Sequence, residues 1–174
     1  GFATQKLLTA EIDLRGASYP DASTRVRFFT GLLEAIRAIP GATHAAIVNN
    51  LPILNPANNI PAWDAAHPPA QTSEAPLVCA RFVLPGYFQA MKIPMIAGRD
   101  VSAGDVAGAD RPPVLVISQS VGRRLFPGAN PLGQRMALFT GGPEPTIAEV
   151  VGIVGDVRMN ALSDADTLAM YAPY

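Results

Sequence analysis

The spacing of apolar residues over the first part of the chain predicts a strand, a helix and a second strand. Apolar and polar side chains alternate over Leu7–Leu14, a pattern typical of a strand with one buried face. Apolar residues then recur at helical spacing, and Pro40-Gly41 ends that helix because proline cannot continue it. The run Ala45–Val48 predicts a short buried strand. The helical apolar positions are Val26, Phe29, Leu33 and Ile36, with Leu32 and Ile39 beside them.

Residues 50–76 lack this periodicity. Six prolines lie there among Asn, Ala and Ser. Proline removes a backbone donor and restricts the residue before it, so we expect an irregular, Pro-rich lobe with no regular structure beyond short edge strands. Trp63 is the exception, because a large aromatic side chain in such a segment usually anchors it to another surface.

The second half of the chain returns to alternating strands and helices. Ser118 is a natural N-cap for one short helix, and Pro127-Gly128 stops that helix. Two later strands are joined by a turn rich in Gly and Pro, which predicts a hairpin. The predicted elements are a strand over 77–83, a helix around 85–91, an extended segment over 93–96, a strand over 114–117, a helix over 118–126, and strands over 135–139 and 147–157.

This order of elements predicts an α+β fold, with a sheet covered by helices on one face. The length of 174 residues fits one domain. Within it we distinguish residues 1–50 as the first half of the core sheet, residues 51–112 as an inserted lobe with a connecting strand and helix, and residues 113–174 as the second half.

Composition and charge exclude several classes of protein. The chain is 49% hydrophobic and 16% charged, values that argue against disorder. The net charge is −1 and no basic run is longer than Arg123-Arg124, so we expect no nucleic-acid partner. No apolar stretch approaches the roughly 20 residues that span a bilayer. The beginning of the chain shows no signal peptide, so we expect a segment of a longer protein.

The sequence offers no pattern of catalytic, metal-binding or cofactor-binding residues. His44 and His67 are not at metal-ligand spacing, and the only cysteine, Cys79, lies in an apolar run typical of a buried side chain. Gly152 and Gly155 lack the first G-x-G of a dinucleotide-binding loop, so strand packing explains them better. We therefore predict a domain without an active site, metal or cofactor.

Four residues are candidates for docking a partner protein. Arg123 and Arg124, with Arg135 nearby, could form a small basic face on a short helix, although a solvated helix side is the better explanation. Tyr87 could belong to an apolar docking patch, but core packing is the better explanation, because Phe88 and Met91 have the spacing of a buried helical face. Trp63 is the fourth candidate, as the aromatic anchor of the Pro-rich stretch.

Several short phrases in a fixed order carry a resemblance to a known family. They are LPGYFQAMKIPMIAGRD at 84–100, LFPGANPLGQRM at 125–136, VVGIVGDVR at 150–158 and YAPY at 171–174. In this order they resemble the extracytoplasmic core domain of MacB/FtsX-type ABC-transporter permeases, above all the large permeases of acidobacteria. As residue types they are helix stops, turns and closely packed strand glycines.

The resemblance implies a porter-like β-α-β sheet with the inserted lobe described above. It implies a periplasmic segment of a cytoplasmic-membrane permease that works as a dimer with an ATPase subunit. The partners would be the protein's own transmembrane helices, a second permease copy and an adaptor or envelope protein. Relatives continue through a further strand and helix beyond the position of Tyr174.

Two other functions compete with this one. A freestanding periplasmic binding module for a small ligand or peptide would require a deep pocket with convergent polar groups. A hydrolase with a dispersed site would require strongly perturbed titratable groups in a cleft.

Overall fold

The computed structural model describes residues 7–14, 19–51, 58–105, 112–157 and 168–174. Within these ranges the chain forms three α-helices and seven strands, with short 3-10 turns at Thr72–Glu74 and Ala103–Asp105. The helices are α1 (Ala22–Arg37), α2 (Tyr87–Ala90) and α3 (Gln119–Leu125). The strands are β1 (Asn58–Asp64), β2 (Leu77–Val83), β3 (Met95–Gly98), β4 (Val114–Ser118), β5 (Arg135–Leu138), β6 (Thr146–Val154) and β7 (Ala169–Pro173).

Helix α1 confirms the helix expected from the apolar spacing. It begins after Asp21, whose carboxylate accepts a hydrogen bond from the Thr24 backbone N–H at 2.7 Å and so satisfies one of the free donors of the first turn. Phe29 and Leu33, four residues apart on one face, are both buried against Leu84. This small cluster attaches the helix to the end of the sheet.

The two strands expected on either side of α1 are not formed as predicted. Residues Leu7–Leu14 are described but contain no strand, and Leu8 is 94% exposed. Alternation shows which face a strand would bury, but it does not supply a neighbouring strand, and none pairs with this segment among the described residues. At Ala45–Val48 only a single bridge forms, between Val48 and Val83.

All seven strands belong to one mixed sheet, in the order β3-β6-β4-β7-β2-β1-β5. Strand β6 pairs with β5 as well as with β4 and β3, so six of the strands close into a ring: β1, β2, β7, β4, β6 and β5. Closure removes the free edges that an open sheet would leave on β5. The ring joins two adjacent strands from 51–112, β1 and β2, to four strands from 113–174, so these two segments share one sheet.

Strand β1 corrects the expectation that the Pro-rich stretch 50–76 has no regular structure beyond edge strands; residues 52–57 of that stretch lie outside the described part. β1 is an interior strand that changes partner at Pro61: Asn58–Pro61 pairs with β2, and Ala62–Asp64 pairs with β5. The Pro61 carbonyl accepts from the Phe139 N–H, just beyond the last residue of β5. The backbone N–H that proline lacks would point towards the chain just beyond the end of β5. Its absence therefore removes little from the pairing of β1 with β5.

The sequence analysis did not predict a strand at the position of β7. β7 lies between β4 and β2, antiparallel to the former and parallel to the latter. The other second-half predictions are confirmed, with ends shifted by a few residues: β2, α2, β4, the α3 helix capped by Ser118, and the β5–β6 hairpin.

The core consists of two main clusters on the two faces of the sheet. The inner cluster contains side chains from all six ring strands, which places it inside the ring: Ala62, Val78, Ala80, Leu115, Ile117, Met136, Leu138, Ala148, Val150 and Met170, closed by Val121 and Phe126 from α3. The outer cluster includes Cys79, Val83, Val116 and Tyr171 of the sheet and is covered by Tyr87 and Phe88 of α2. The α+β class is confirmed, but α2 and α3 cover opposite faces, whereas we expected helices on one face.

The pairing of β3 with β6 depends on two glycines that face each other in register, Gly98 and Gly152. A Cβ atom on Gly152 would lie 2.2 Å from the Arg99 carbonyl oxygen, and a Cβ on Gly98 would lie 2.3 Å from the Val151 carbonyl oxygen. Gly98 also has a φ of +74°, which side-chain-bearing residues rarely adopt. These glycines belong to the short phrases at 84–100 and 150–158. The close approach of the two backbones explains why glycine is needed at both positions.

Candidate interaction surface at helix α3

Helix α3 is fixed to the sheet at its N-cap, Ser118, the last residue of β4. The Ser118 hydroxyl oxygen accepts a hydrogen bond from the Val121 N–H at 3.4 Å, which caps the helix, and a second from the Ala169 N–H at 3.2 Å. Ser118 is fully buried, so both bonds are shielded from water. One serine thus joins the start of α3 to the central strand β7.

Asp156, just after β6, fixes the exposed side of the same helix. Its Oδ1 accepts from the Ser120 N–H at 2.8 Å, and its Oδ2 accepts from Arg123 Nη2 at 3.1 Å. Arg123 Nη2 also donates to the Ser120 hydroxyl at 2.9 Å. The Arg123 side chain is 60% exposed, so its guanidinium is held in one place while much of it still faces solvent. Such pre-positioning lowers the entropy that a partner's carboxylate would have to overcome.

Arg123 and Arg124 border an open depression on this side of the molecule. The depression has a volume of about 310 Å³ and is lined by Ser120, Arg123, Arg124 and Leu168. Guanidinium groups bind carboxylates and phosphates through paired N–H donors. The surface therefore combines two guanidinium groups, one of them paired with the Asp156 carboxylate, with a hydroxyl and an apolar side chain.

The other two predicted docking residues lie elsewhere. Tyr87 is 1% exposed and lies in the outer cluster. The centre of its ring is 5.6 Å from that of Phe88 and 5.8 Å from that of Tyr171, so its side chain is packed in the core. Burial raises the pKa of Tyr87 to about 12. Trp63 is half-buried on β1, next to Ala137 of β5, on the face opposite Ala62. The structure brings together Arg123 and Arg124 but neither of the aromatic residues.

A buried cation in the outer cluster was missed by the sequence analysis. Arg81 on β2 is 1% exposed, and its guanidinium donates to the Asn50 carbonyl, which fastens the chain after α1 to the sheet. The neighbouring Cys79 thiol and Tyr171 hydroxyl are also buried, and burial raises the pKa of both groups. Cys79 is thus a buried, protonated thiol, as its apolar neighbours in sequence predicted.

The described residues were also searched for metal ligands and membrane spans. Among them, no three His, Cys, Asp or Glu side chains come close enough to share an ion. An exposed pair does occur, between His67 Nδ1 and Asp64 Oδ2 at 2.6 Å. In the same ranges, none of the helices has both the length and the apolar character that crossing a bilayer requires.

A family model for the MacB-like periplasmic core domain matches residues 9–174. The chain belongs to this family. The match covers nearly the whole sequence and confirms the resemblance inferred from the short phrases. No match was found among the curated proteins.

Three solved structures resemble this MacB-like domain. The extracellular domain of the noncanonic ABC-type transporter YknZ from Gram-positive bacteria has a TM-score of 0.50 at 18% identity, covering 81% of this chain and 59% of that one. The periplasmic region of MacB from Actinobacillus actinomycetemcomitans has a TM-score of 0.50 at 17% identity, covering 81% and 54%. A domain of a putative permease protein from Porphyromonas gingivalis has a TM-score of 0.51 at 18% identity, covering 82% and 55%.

At these identities the solved structures show a shared fold. This MacB-like domain spans between 54% and 59% of the length of those three chains. What a parent permease binds or transports is therefore a matter of proposal.

In this MacB-like domain, sequence reasoning found the two arginines but missed the residues that position them. Ser120 and Arg123 are three residues apart on one helix, a spacing that brings side chains together and could have indicated the contact. Asp156 is 36 residues from Ser120, and only the pairing of β4 with β6 brings it to the helix. No local signal reveals such a partner.

Proposed function

We propose that this chain is the extracytoplasmic domain of an ABC-transporter permease, and that it docks a partner protein and passes on motion without catalysing a reaction. The observation that carries this proposal is the family match over residues 9–174. The ATPase would be a separate cytoplasmic subunit or domain. The other partners would be the permease's own transmembrane helices, a second permease copy and a periplasmic adaptor or envelope protein.

The fold suits transmission of motion because its sheet is closed. In a closed ring, each strand is hydrogen-bonded on both sides, so the sheet can move as one body. Helix α3 is joined to β7 through Ser118 and to the end of β6 through Asp156. A force on α3 would therefore reach two strands of the ring directly.

The docking surface would be the depression beside α3. Its two guanidinium groups favour an acidic segment on the partner, and the bond from Arg123 to Asp156 keeps one of them in position. The depression is open on one side, which favours a protein segment over an enclosed small ligand. The alternative function is a freestanding periplasmic binding module for a small ligand or peptide, and its small-ligand form has less support for that reason.

The test of docking uses the full-length permease and the periplasmic protein encoded beside its gene. The double variant Arg123→Glu, Arg124→Glu should weaken their complex at least tenfold, because it replaces two attractive charges by repulsive ones. Arg27→Glu is the matched control, since Arg27 is an exposed arginine on α1 that donates within its own helix to Thr24. Equal affinity of the double variant and the control would reject α3 as the docking surface.

The test of motion uses spin labels on the same permease, reconstituted with its ATPase. Gln134→Cys places a label on the exposed residue just before β5, while the native Cys79 is buried and should not react. We expect the distance between the two labels of a permease dimer to differ between nucleotide-free and ATP-bound states. An unchanged distance distribution would contradict transmission of motion through this domain.

A further inference from the structure

Two tyrosine hydroxyls lie inside the outer cluster. Tyr87 of α2 is 1% exposed, Tyr171 of β7 is fully buried, and the centres of their rings are 5.8 Å apart. Among the described residues, neither hydroxyl has a hydrogen-bond partner. Buried hydroxyl groups in proteins are nearly always hydrogen-bonded, because an unpaired one loses its bonds to water without a replacement. Two such groups in one cluster indicate a shared acceptor.

The same part of the core carries a buried positive charge. Arg81 of β2 is directly opposite Tyr171 in the pairing of β2 with β7, and it is 1% exposed. Burial raises the pKa of both tyrosines and of the Cys79 thiol, and the charge of Arg81 acts in the opposite direction on each. The guanidinium therefore lies close to all three groups. We call Cys79, Arg81, Tyr87 and Tyr171 the Arg81 cluster.

The Arg81 cluster is rich in hydrogen-bond donors. A guanidinium can only donate, and a tyrosine hydroxyl or a protonated thiol has one hydrogen to donate. Arg81 already donates through Nη1 to the Asn50 carbonyl, in the chain that follows α1. An acceptor between the two hydroxyls would therefore connect α2 and β7 beside a side chain that joins β2 to Asn50.

One carboxylate of the described residues acts on the cluster, but its bonds lie elsewhere. The charge of Asp156 adds to the raised pKa of Tyr171, whose main cause is burial. The Asp156 oxygens accept from the Ser120 N–H at 2.8 Å and from Arg123 Nη2 at 3.1 Å, on the side of α3. The acceptor for the two tyrosine hydroxyls must therefore be a different group.

We propose that the Arg81 cluster binds a small monovalent anion, such as chloride, which accepts hydrogen bonds from the Tyr87 and Tyr171 hydroxyls beside the Arg81 guanidinium. The positive charge favours an anion over a neutral water, because opposite charges stabilise each other strongly in the core. A sulfate or phosphate would bring a larger group and more negative charge than one guanidinium balances.

The site gives a role to two side chains of the short phrases. Tyr87 belongs to the phrase at 84–100 and Tyr171 to YAPY at 171–174. Turns and close backbone contacts explain the glycines and prolines of these phrases, but they do not explain a hydroxyl. Phenylalanine would fill the same space in an apolar cluster without a polar atom to satisfy. Tyrosine is the better residue where a ligand accepts from its hydroxyl.

Chloride should stabilise the purified 174-residue chain, because a ligand that binds only the folded state raises its stability. We expect the melting temperature to rise by about 5–10 °C between chloride-free buffer and chloride at about one hundred times its dissociation constant. Gluconate at equal ionic strength is the comparison salt. It screens surface charges as chloride does and is too large for the cluster.

Removal of one hydroxyl should reverse its effect between the two salts. In chloride, Tyr171→Phe should melt below the unaltered chain, because the anion loses a donor. In gluconate it should melt at least as high, because no buried hydroxyl is left unpaired at that position. Tyr87→Phe should behave in the same way. A hydroxyl bonded within the protein would give no such reversal.

The matched control is Tyr174→Phe, the same substitution three residues later in the chain. The Tyr174 ring packs against Phe29 of α1, with the ring centres 5.6 Å apart, in the small cluster around Leu84. This variant should keep the full rise of melting temperature with chloride. Bromide then locates the anion, because it scatters X-rays anomalously. Crystals of the chain grown with bromide should show it within hydrogen-bond distance of the Tyr87 and Tyr171 hydroxyl oxygens.

Equal melting temperatures in chloride and gluconate would overturn the proposal, and would mean that a water or another part of the chain accepts from the hydroxyls. An equal chloride effect in Tyr171→Phe and Tyr174→Phe would overturn it as well, because it would reflect salt in general. Bromide found only away from the Arg81 cluster would show an adventitious ion only. These outcomes leave the docking test at α3 unaffected, since that test measures a complex with a partner protein.

Discussion

Replacement of Gly152 by alanine tests the closest backbone contact in the sheet. The new methyl carbon would lie 2.2 Å from the Arg99 carbonyl oxygen, more than 1 Å inside ordinary contact, and 3.2 Å from Val116 Cγ2. The obstructing atom belongs to the backbone and cannot rotate away, so β3 must move away from β6.

The expected cost follows from two effects. Overpacking costs about 1–3 kcal/mol, and the upper end applies where backbone is displaced. The bond from the Arg99 N–H to the Val151 carbonyl, 2.9 Å long, would be strained or lost, which adds about 1 kcal/mol. We therefore expect Gly152→Ala to lower the free energy of unfolding by about 3–4 kcal/mol, and the melting temperature by on the order of 10 °C.

The assay is urea unfolding followed by Trp63 fluorescence, at a concentration low enough to keep the chain monomeric. Gly31→Ala is the matched control: it is the same substitution in α1, where the added Cβ meets nothing within 4 Å. It should stabilise the chain by about 1 kcal/mol, because alanine is the better helix former. If Gly152→Ala unfolds within about 0.5 kcal/mol of the unaltered chain, the close approach of β3 and β6 is refuted.

Three further predictions concern stability. Leu33→Asp should prevent folding by burying a charge between α1 and Leu84, and an unchanged thermal melt would show that the helix does not pack by this face. Arg124→Ala should leave the melt nearly unchanged, since Arg124 is exposed; a drop of more than about 1 kcal/mol would reveal a structural role. Asp105→Asn should make stability less dependent on pH in acid. The hydrogen bonds from Arg99 hold the pKa of Asp105 well below its usual 3.8, so this carboxylate stabilises the fold above pH 3.8, and that contribution is lost as pH falls through its lowered pKa. The measurement is the free energy of unfolding of both proteins as the pH is lowered. An equal loss of stability in the two proteins would contradict this prediction.

The parts of the fold that could be predicted from sequence are those with local causes. Helix α1 follows from apolar spacing, α3 from its Ser118 cap, and the β5–β6 hairpin from the turn between its strands. Each of these signals lies within the element itself or next to it in sequence. The family could be recognised because its phrases mark turns and close contacts that the fold cannot do without.

The errors arise where a residue's environment is set by distant parts of the chain. Proline-rich sequence argued against β1, yet Pro61 is accommodated because β5 ends where its missing donor would point. The pattern over Leu7–Leu14 predicted a strand, but pairing requires a neighbour that sequence cannot supply. Of the docking residues, Tyr87 lies in the core because α2 covers the outer cluster, in line with the core packing that the spacing of Phe88 and Met91 favoured.

The central place of β7 has a consequence for how the protein is made. Cys79 of β2 pairs with Ala169 of β7, roughly 90 residues later, and β7 is the strand that joins β2 to β4. During synthesis, the strands that leave the ribosome first must therefore wait for residues 169–173 before the ring can close. Such non-local pairing folds slowly and exposes strand edges meanwhile. Nascent chains of this domain should accordingly depend on a chaperone until β7 has emerged.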